Sequence, residues 1–320
     1  MDRFKVLMFE KMHEQGTRLL ESVCDLEYAS SLEEDYLAEA VRDKDALIIR
    51  ANGAVTRRLL EAAPKLKVIG RHGVGLDAID LVAAAERGIP VVNTPVANNV
   101  SVGEGFFALA LALAKRVRSG DAAVRSGDWA FRTRHRTASL SGKALGVYGF
   151  GKIGQITARM GRDGFGMSVL YADAVAHAHA ERDMGAERVT AEELFSRADF
   201  ISLNLPLLPD TRKVVGDRLI SLMKPTAYLV NMARGPIWDE AAVCAALRDK
   251  RIAGAGTDVF DPEPPRADNP LFAQDNFICT PHNSAHTEEG MINMSMVAKD
   301  VLAVLEGREP DYPVPPPLSR

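Results

Sequence analysis

The chain has 320 residues, 47% of them hydrophobic and 26% charged, with a formal net charge of −4. That length suggests two domains, each able to bury its own core, in an ordinary soluble globular protein. The mild negative charge argues against nucleic acid and anionic membrane surfaces as partners, and no apolar run is long enough to span a bilayer.

The first residues, MDRFKVLMFE, carry acids and no extended apolar core, so no secretory leader is expected there. Short apolar runs then alternate with helical patterns along the whole chain. Candidate strands are KVLMF (5–9), ALIIR (46–50), KVIGR (67–71) and PVVNT (90–94). After residue 140 come KALGVYGF (143–150), MSVLYAD (167–173), DFISLNL (199–205), AYLVNM (227–232), IAGAGTDVF (252–260) and FICT (277–280). Runs without polar alternation, separated by helices, predict parallel sheets covered on both faces, an α/β fold.

Two longer helical patterns interrupt the series. SVGEGFFALALALAKRV (101–117) offers Ser101 as a cap with Glu104 three residues on. It is apolar nearly all round, which predicts deep burial at a subunit interface or between domains. The second is TEEGMINMSMVAKDVLAVLEG (287–307). They fall near the expected crossings between a first domain, 1–98 plus 287–320, and an inserted second domain, 99–286. The ending EPDYPVPPPLSR is proline-rich and reads as a surface strap. Cys24, Cys244 and Cys279 match no metal-ligand spacing, so no metal is expected; they fit a reduced, cytoplasmic compartment.

GVYGFGKIGQITARM contains Gly149-x-Gly151-x-x-Gly154. The motif alone is common. Here it follows a predicted strand, opens a predicted helix and leads to a second strand ending in Asp173, 19 residues after Gly154. Gly149 permits the tight turn, Gly151 lets the backbone approach a pyrophosphate, and Gly154 lets helix and strand pack closely. The helix N-terminus adds unpaired N–H donors. Asp173 would accept bonds from the adenosine ribose and repel a 2′-phosphate, which favours NAD over NADP. His177 and His179 nearby read as exposed loop histidines.

Ligands of doubly wound sheets bind beyond the carboxyl ends of the strands. Three ionisable groups stand at such ends: Arg234 after AYLVNM, Glu263 after AGAGTDVFDP, and His282 after FICTP. A lone histidine is usually structural, and DPEPP reads as a rigid loop on its own. The combination downstream of a dinucleotide motif is what points to chemistry.

At this point the sequence resembles the D-isomer-specific 2-hydroxyacid dehydrogenase family. The matching stretches are GVGLDAIDLVAAAERGIPVVNTP (73–95), YGFGKIG, YAD, LNLPLLPDTR, NMARG, TDVFDPEP and TPHNSAHT, in family order through nearly the whole chain. The resemblance implies two Rossmann-like doubly wound parallel-sheet domains with a cleft between them, usually as a homodimer. The first domain would bind substrate and the second NAD. By the same resemblance, Arg234 grips the substrate carboxylate, His282 exchanges the proton, and Glu263 orients the imidazole and raises its pKa. Asp258 is placed at the nicotinamide carboxamide, and Lys152 and Ile153 at the pyrophosphate. Pro206, Thr211 and Ala233 are placed along the cofactor. The Gly73–Gly75 loop, through Val74 and Gly75, would offer N–H donors to a substrate carboxylate. HNSAH departs from the small residues the family often carries there, so His286 is a rival to His282, and Asn283 adds a polar group.

The segments 48–77 and 125–132 look most like the phosphoglycerate dehydrogenase branch, in which the arginines matching Arg50 and Arg71 lie near a substrate phosphate. Strand-end charges facing water are the plainer alternative. The basic RTRHR (132–136) is read as reaching a neighbouring subunit or as solvated. Longer members add a regulatory domain, which is not expected here. The expected substrate is a small anionic 2-hydroxy or 2-keto acid: 3-phosphoglycerate, or glyoxylate or hydroxypyruvate. The competing reading is an NAD(H)-sensing corepressor-like binding protein of the same fold.

Overall fold

A computed structural model of the chain describes residues 3–317. It divides into two compact units, residues 1–98 with 286–320, and residues 99–285.

The first unit is built on a parallel sheet of five strands: β1 (Phe4–Met8), β2 (Cys24–Tyr28), β3 (Ala46–Ile49), β4 (Val68–Arg71) and β5 (Val91–Asn93), in the order β2-β1-β3-β4-β5. The inner strands are buried on both faces because both faces carry helices, and every residue of Ala46–Ile49 is buried. Edge strand β2, CDLEY, is largely exposed apart from Cys24, and its charged residues hide it from a search for apolar runs.

The second unit has seven parallel strands: β6 (Ala144–Tyr148), β7 (Ser168–Ala172), β8 (Glu187–Arg188), β9 (Phe200–Leu203), β10 (Tyr228–Asn231), β11 (Gly254–Thr257) and β12 (Phe277–Cys279). Their order is β12-β11-β10-β9-β6-β7-β8. The chain reverses direction across the sheet between β6 and β9, which puts the topological switch point at the end of β6, where Gly149 stands. Both units are therefore doubly wound α/β folds.

The long helix departs from its expected span. It runs Asn99–Ala114 and stops there, because Arg116 takes a left-handed conformation (φ 53°) and a new helix starts at Val117. Its buried side packs within its own unit on β10, β11, β12 and the helix Lys152–Phe165, while Val100 stays 52% exposed.

The pattern at 287–307 is two helices, Glu288–Ser295 and Val297–Leu305. The break follows Ser295, whose hydroxyl bonds back to the Ile292 carbonyl at 2.7 Å, a contact that bends helices. The proline-rich strap joins the edge of the first sheet. Val314 N–H donates to Val91 O at 2.8 Å, and Val92 pairs with Pro313 in an antiparallel bridge. Leu318–Arg320, its last residues, lie outside the described part, as do Met1 and Asp2.

His72, after β4, is 2% exposed, and its Nε2 has no partner among the described residues. Burial, reinforced by the charge of Arg50, pushes it down to about 3 from an ordinary 6.5. The folded state thus keeps the ring neutral where the unfolded chain protonates it. Its contribution to stability is complete above about pH 6.5 and is lost as pH falls from there toward 3. At pH 5.5 the expected loss is on the order of 1 kcal/mol. Thermal unfolding at pH 7.5 and 5.5 checks this: His72→Asn is expected to flatten the difference, and equal acid sensitivity in both proteins would contradict it.

Candidate active site

The loop after β6 is shaped by its glycines. Gly149 has φ +91°, and a Cβ there would stand 2.7 Å from the Asn204 carbonyl carbon and oxygen. A Cβ on Gly154 would stand 2.3 Å from Gly149 O, so helix and turn touch backbone to backbone. Gly151 faces open space, with nothing within 4 Å of its missing side chain. The helix Lys152–Phe165 begins there without a side-chain cap. The first-turn N–H groups of Lys152, Ile153 and Gly154 have no acceptor within a helix. Asp173, one residue past β7, accepts the Phe150 N–H at 2.5 Å and the Val175 N–H at 3.0 Å. An open glycine, an uncapped helix start and a carboxylate at the next strand end fit a dinucleotide.

His177 is not an exposed loop residue. Its ring packs edge-on against Phe150 and Tyr171, with centroids 5.6 and 5.9 Å away, and Nδ1 lies 3.3 Å from Gln155 Nε2. His179 is exposed and contacts Gln155 Oε1 at 3.1 Å. Gln155 links both histidines to the glycine turn by donating to Phe150 O at 2.9 Å.

The ends of β10, β11 and β12 lie side by side in register, with Asn231 opposite Thr257 and Thr257 opposite Cys279. The fully buried Asn231, last residue of β10, closes the turn that follows. It accepts from Ala233 N–H at 3.0 Å and donates to Arg234 O at 2.9 Å. Arg234 then donates from Nη1 to Ala233 O at 2.7 Å. Asn231 went unassigned in the sequence; the signal was an amide ending an otherwise apolar strand.

After β11, Asp258 is 4% exposed and gathers the turn that follows β12. Oδ1 accepts from the Thr280 hydroxyl at 2.5 Å and Asn283 N–H at 3.1 Å, and Oδ2 accepts from Ser284 N–H at 3.0 Å. That turn holds His282 in a left-handed conformation, φ 51°. Glu263 accepts from Phe260 N–H at 2.9 Å through Oε1, and from His282 Nδ1 at 2.8 Å through Oε2. Partial burial alone would raise its pKa. The bonds from His282 and Phe260 and the nearby charge of Arg234 outweigh it, so the carboxyl titrates below its ordinary range. An ionised carboxylate only accepts, so Nδ1 carries the proton and Nε2 is left to act on a ligand. His286 is exposed. Along the adjoining loop, Thr211 Oγ1 lies 2.6 Å from Pro206 O and accepts from Leu208 N–H at 2.7 Å.

In the first unit, Arg50 donates to Lys11 O at 3.1 Å and reaches Met291 Sδ at 3.5 Å. Glu10 accepts from the Ala51 and Asn52 amides at 2.7 and 2.9 Å. Arg71 points along its own loop, donating to Gly75 O at 2.6 Å and His72 O at 2.9 Å. The basic segment 132–136 is largely exposed, with Arg134 paired to Asp128. Among the described residues no cluster of side chains is suited to hold a metal, and no helix is long and apolar enough to cross a membrane.

Comparison with known proteins agrees with these features. Residues 107–284 match the family described as D-isomer specific 2-hydroxyacid dehydrogenase, NAD binding domain. The chain is 43% identical to a D-3-phosphoglycerate dehydrogenase of Methanocaldococcus jannaschii over 95% of its own length, spanning 58% of that longer protein. It is 38% identical to a glyoxylate reductase of Thermococcus litoralis, covering 96% of this chain and 95% of that one. The structure of the TT0316 protein from Thermus thermophilus superposes with a TM-score of 0.89 at 34% identity, covering 98% of this chain and 100% of the other. With an NAD-binding unit and this likeness end to end, the chain belongs to the D-isomer-specific 2-hydroxyacid dehydrogenase family.

Proposed function

We propose that this protein interconverts a D-2-hydroxy acid and its 2-keto acid by NAD-dependent hydride transfer. The observation that carries the reading is the Glu263–His282 pair beside Arg234, in the unit that also bears the glycine turn. When bound, NADH supplies the hydride. Everything else falls to the chain's own groups.

His282 gives a proton from Nε2 to the carbonyl oxygen and takes one in the oxidation direction. Glu263 fixes the ring's tautomer and offers a counter-charge when the ring is protonated. Arg234 binds the substrate carboxylate, which a planar guanidinium can meet with two parallel bonds. Val74 and Gly75 would add backbone donors, and Arg50 would meet a phosphate where the substrate carries one. Gly149, Gly151 and Gly154, with the amides of Lys152 and Ile153, receive the pyrophosphate. Asp173 receives the ribose hydroxyls, and Pro206, Thr211 and Ala233 line the dinucleotide. Asp258 Oδ2 accepts from Ser284 N–H, and its remaining lone pair would be the acceptor for the nicotinamide carboxamide.

The protein is proposed to act as a cytoplasmic homodimer. In support, Trp129 is 64% exposed with the Arg132 guanidinium 5.4 Å over its ring, and Val117 and Val124 are exposed on the same segment. None of the three cysteines is disulfide-bonded.

The test is a panel of glyoxylate, hydroxypyruvate and 3-phosphohydroxypyruvate with NADH and NADPH side by side, and 3-phosphoglycerate with NAD in reverse. Turnover is expected with NADH, and more slowly with NADPH because Asp173 repels a 2′-phosphate. No turnover on any acid, with NADH still bound, would favour the NAD(H)-sensing reading. The relatives, named as a dehydrogenase and a reductase, support catalysis.

A further inference from the structure

Between β4 and the next helix, the carbonyls of the loop from His72 to Gly75 are all pinned by donors. His72 O accepts from Arg71 Nη1 at 2.9 Å, and Gly73 O from Thr94 N–H at 3.2 Å. Val74 O accepts from Asn93 Nδ2 at 3.0 Å, and Gly75 O from Arg71 Nε at 2.6 Å. Gly73, at φ +131°, permits the change of direction that starts this run, a conformation few other residues adopt.

In a planar trans peptide, each carbonyl points opposite to the N–H that follows it. Pinning the carbonyls of Gly73, Val74 and Gly75 therefore turns the N–H groups of Val74, Gly75 and Leu76 away from those donors. None of these three has a backbone acceptor among the described residues. Successive N–H groups on one side make a concavity for an anion. Asn93 is itself held, because it is buried and its N–H donates to Tyr312 O at 3.3 Å in the C-terminal strap.

We propose that Arg71 and Asn93 are positioning residues for the substrate carboxylate, aiming the three amides by pinning the carbonyls behind them. Arg71 then acts through the loop and not as a ligand of a substrate phosphate. The proposal rests on the reading of this protein as a 2-keto acid reductase, and it separates from the phosphate role in a measurable way. A phosphate ligand matters only for phosphorylated substrates, whereas a loop brace matters for every 2-keto acid alike.

The experiment compares wild type, Asn93→Ala, Asn93→Asp and Arg71→Gln. It reads KM and kcat for glyoxylate and 3-phosphohydroxypyruvate, calorimetric affinity for oxalate in the NADH-loaded protein, and NADH affinity by fluorescence. Asn93→Ala is expected to raise both KM values and the oxalate Kd about tenfold, with NADH affinity unchanged and kcat less affected. Asn93→Asp is expected to be worse, because it sets a carboxylate against Val74 O. Arg71→Gln is expected to raise KM for both acids in the same proportion. An effect of Arg71→Gln confined to the phosphorylated acid would overturn the proposal, as would wild-type KM and oxalate affinity in Asn93→Ala. If the wild type turns over no acid, the oxalate affinities still decide the role of the loop, while the reading as a reductase falls separately.

Discussion

Replacing His282 with alanine is expected to lower kcat for 2-keto acid reduction by about 10²–10⁴-fold while NADH binds as before. The expectation comes from how the imidazole is held. Glu263 Oε2 takes Nδ1 at 2.8 Å, which leaves Nε2 as the atom that meets a carbonyl oxygen. The left-handed backbone of His282 depends on Asp258 and the Thr280, Asn283 and Ser284 groups bonded to it, none of which involves the imidazole. Removing the ring should therefore leave the turn, and the NAD site on the same unit, in place. Glu263→Gln is expected to give a smaller loss, because an amide can still orient Nδ1 but offers no counter-charge. Steady-state rates with glyoxylate, paired with an NADH fluorescence titration, check both. Turnover by His282→Ala within a few-fold of wild type would assign the proton to another group, with His286 the next to replace.

Gly235→Ala is expected to be nearly as damaging although glycine carries no chemistry. A Cβ there would stand 2.0 Å from the carbonyl carbon of Phe260 and 2.1 Å from its oxygen. These are backbone atoms that cannot swing aside like the end of a side chain. They belong to the loop after β11, whose strand is locked in register with β10, so neither loop can retreat without disturbing the sheet. Overpacking of this kind costs about 1–3 kcal/mol, and here it acts where Arg234 approaches Glu263. A displacement near 1 Å at such a site lowers kcat/KM by about 10²-fold. The expected result is a lowered unfolding temperature together with a loss of that order in kcat/KM. A variant with wild-type stability and activity would show that the two loops do not need their close approach.

Gly235 also helps explain why an arginine can sit at the end of an apolar strand. In the run Met232–Ala233–Arg234–Gly235, the glycine admits the neighbouring loop, and the carboxylate that this loop carries, Glu263, shares the arginine's field.

Much of the fold is legible because parallel strands buried on both faces must be apolar throughout, as in ALII and FISL, whose residues are all buried. The strands that escape are the edge strands CDLEY and ER, which lie at the margins of their sheets and keep charged residues. Helix ends are also poorly legible. The pattern 101–117 runs on past Ala114, but the left-handed turn at Arg116 is a backbone event with no periodicity to announce it.

The amino-acid order by itself determined the doubly wound class, the glycine turn and the placing of Arg234, Glu263 and His282 just after strands, because local propensity and burial on both faces are written residue by residue. Only the tertiary structure decided what each polar atom faces. Asp258 gathers the turn around His282, His177 packs on Phe150, and Arg71 donates to the carbonyls of Gly75 and His72 in the loop that follows it. The physical reason is that a hydrogen bond is set by distance and direction between groups far apart in sequence, and strand register together with loop conformation creates that geometry after the chain has folded.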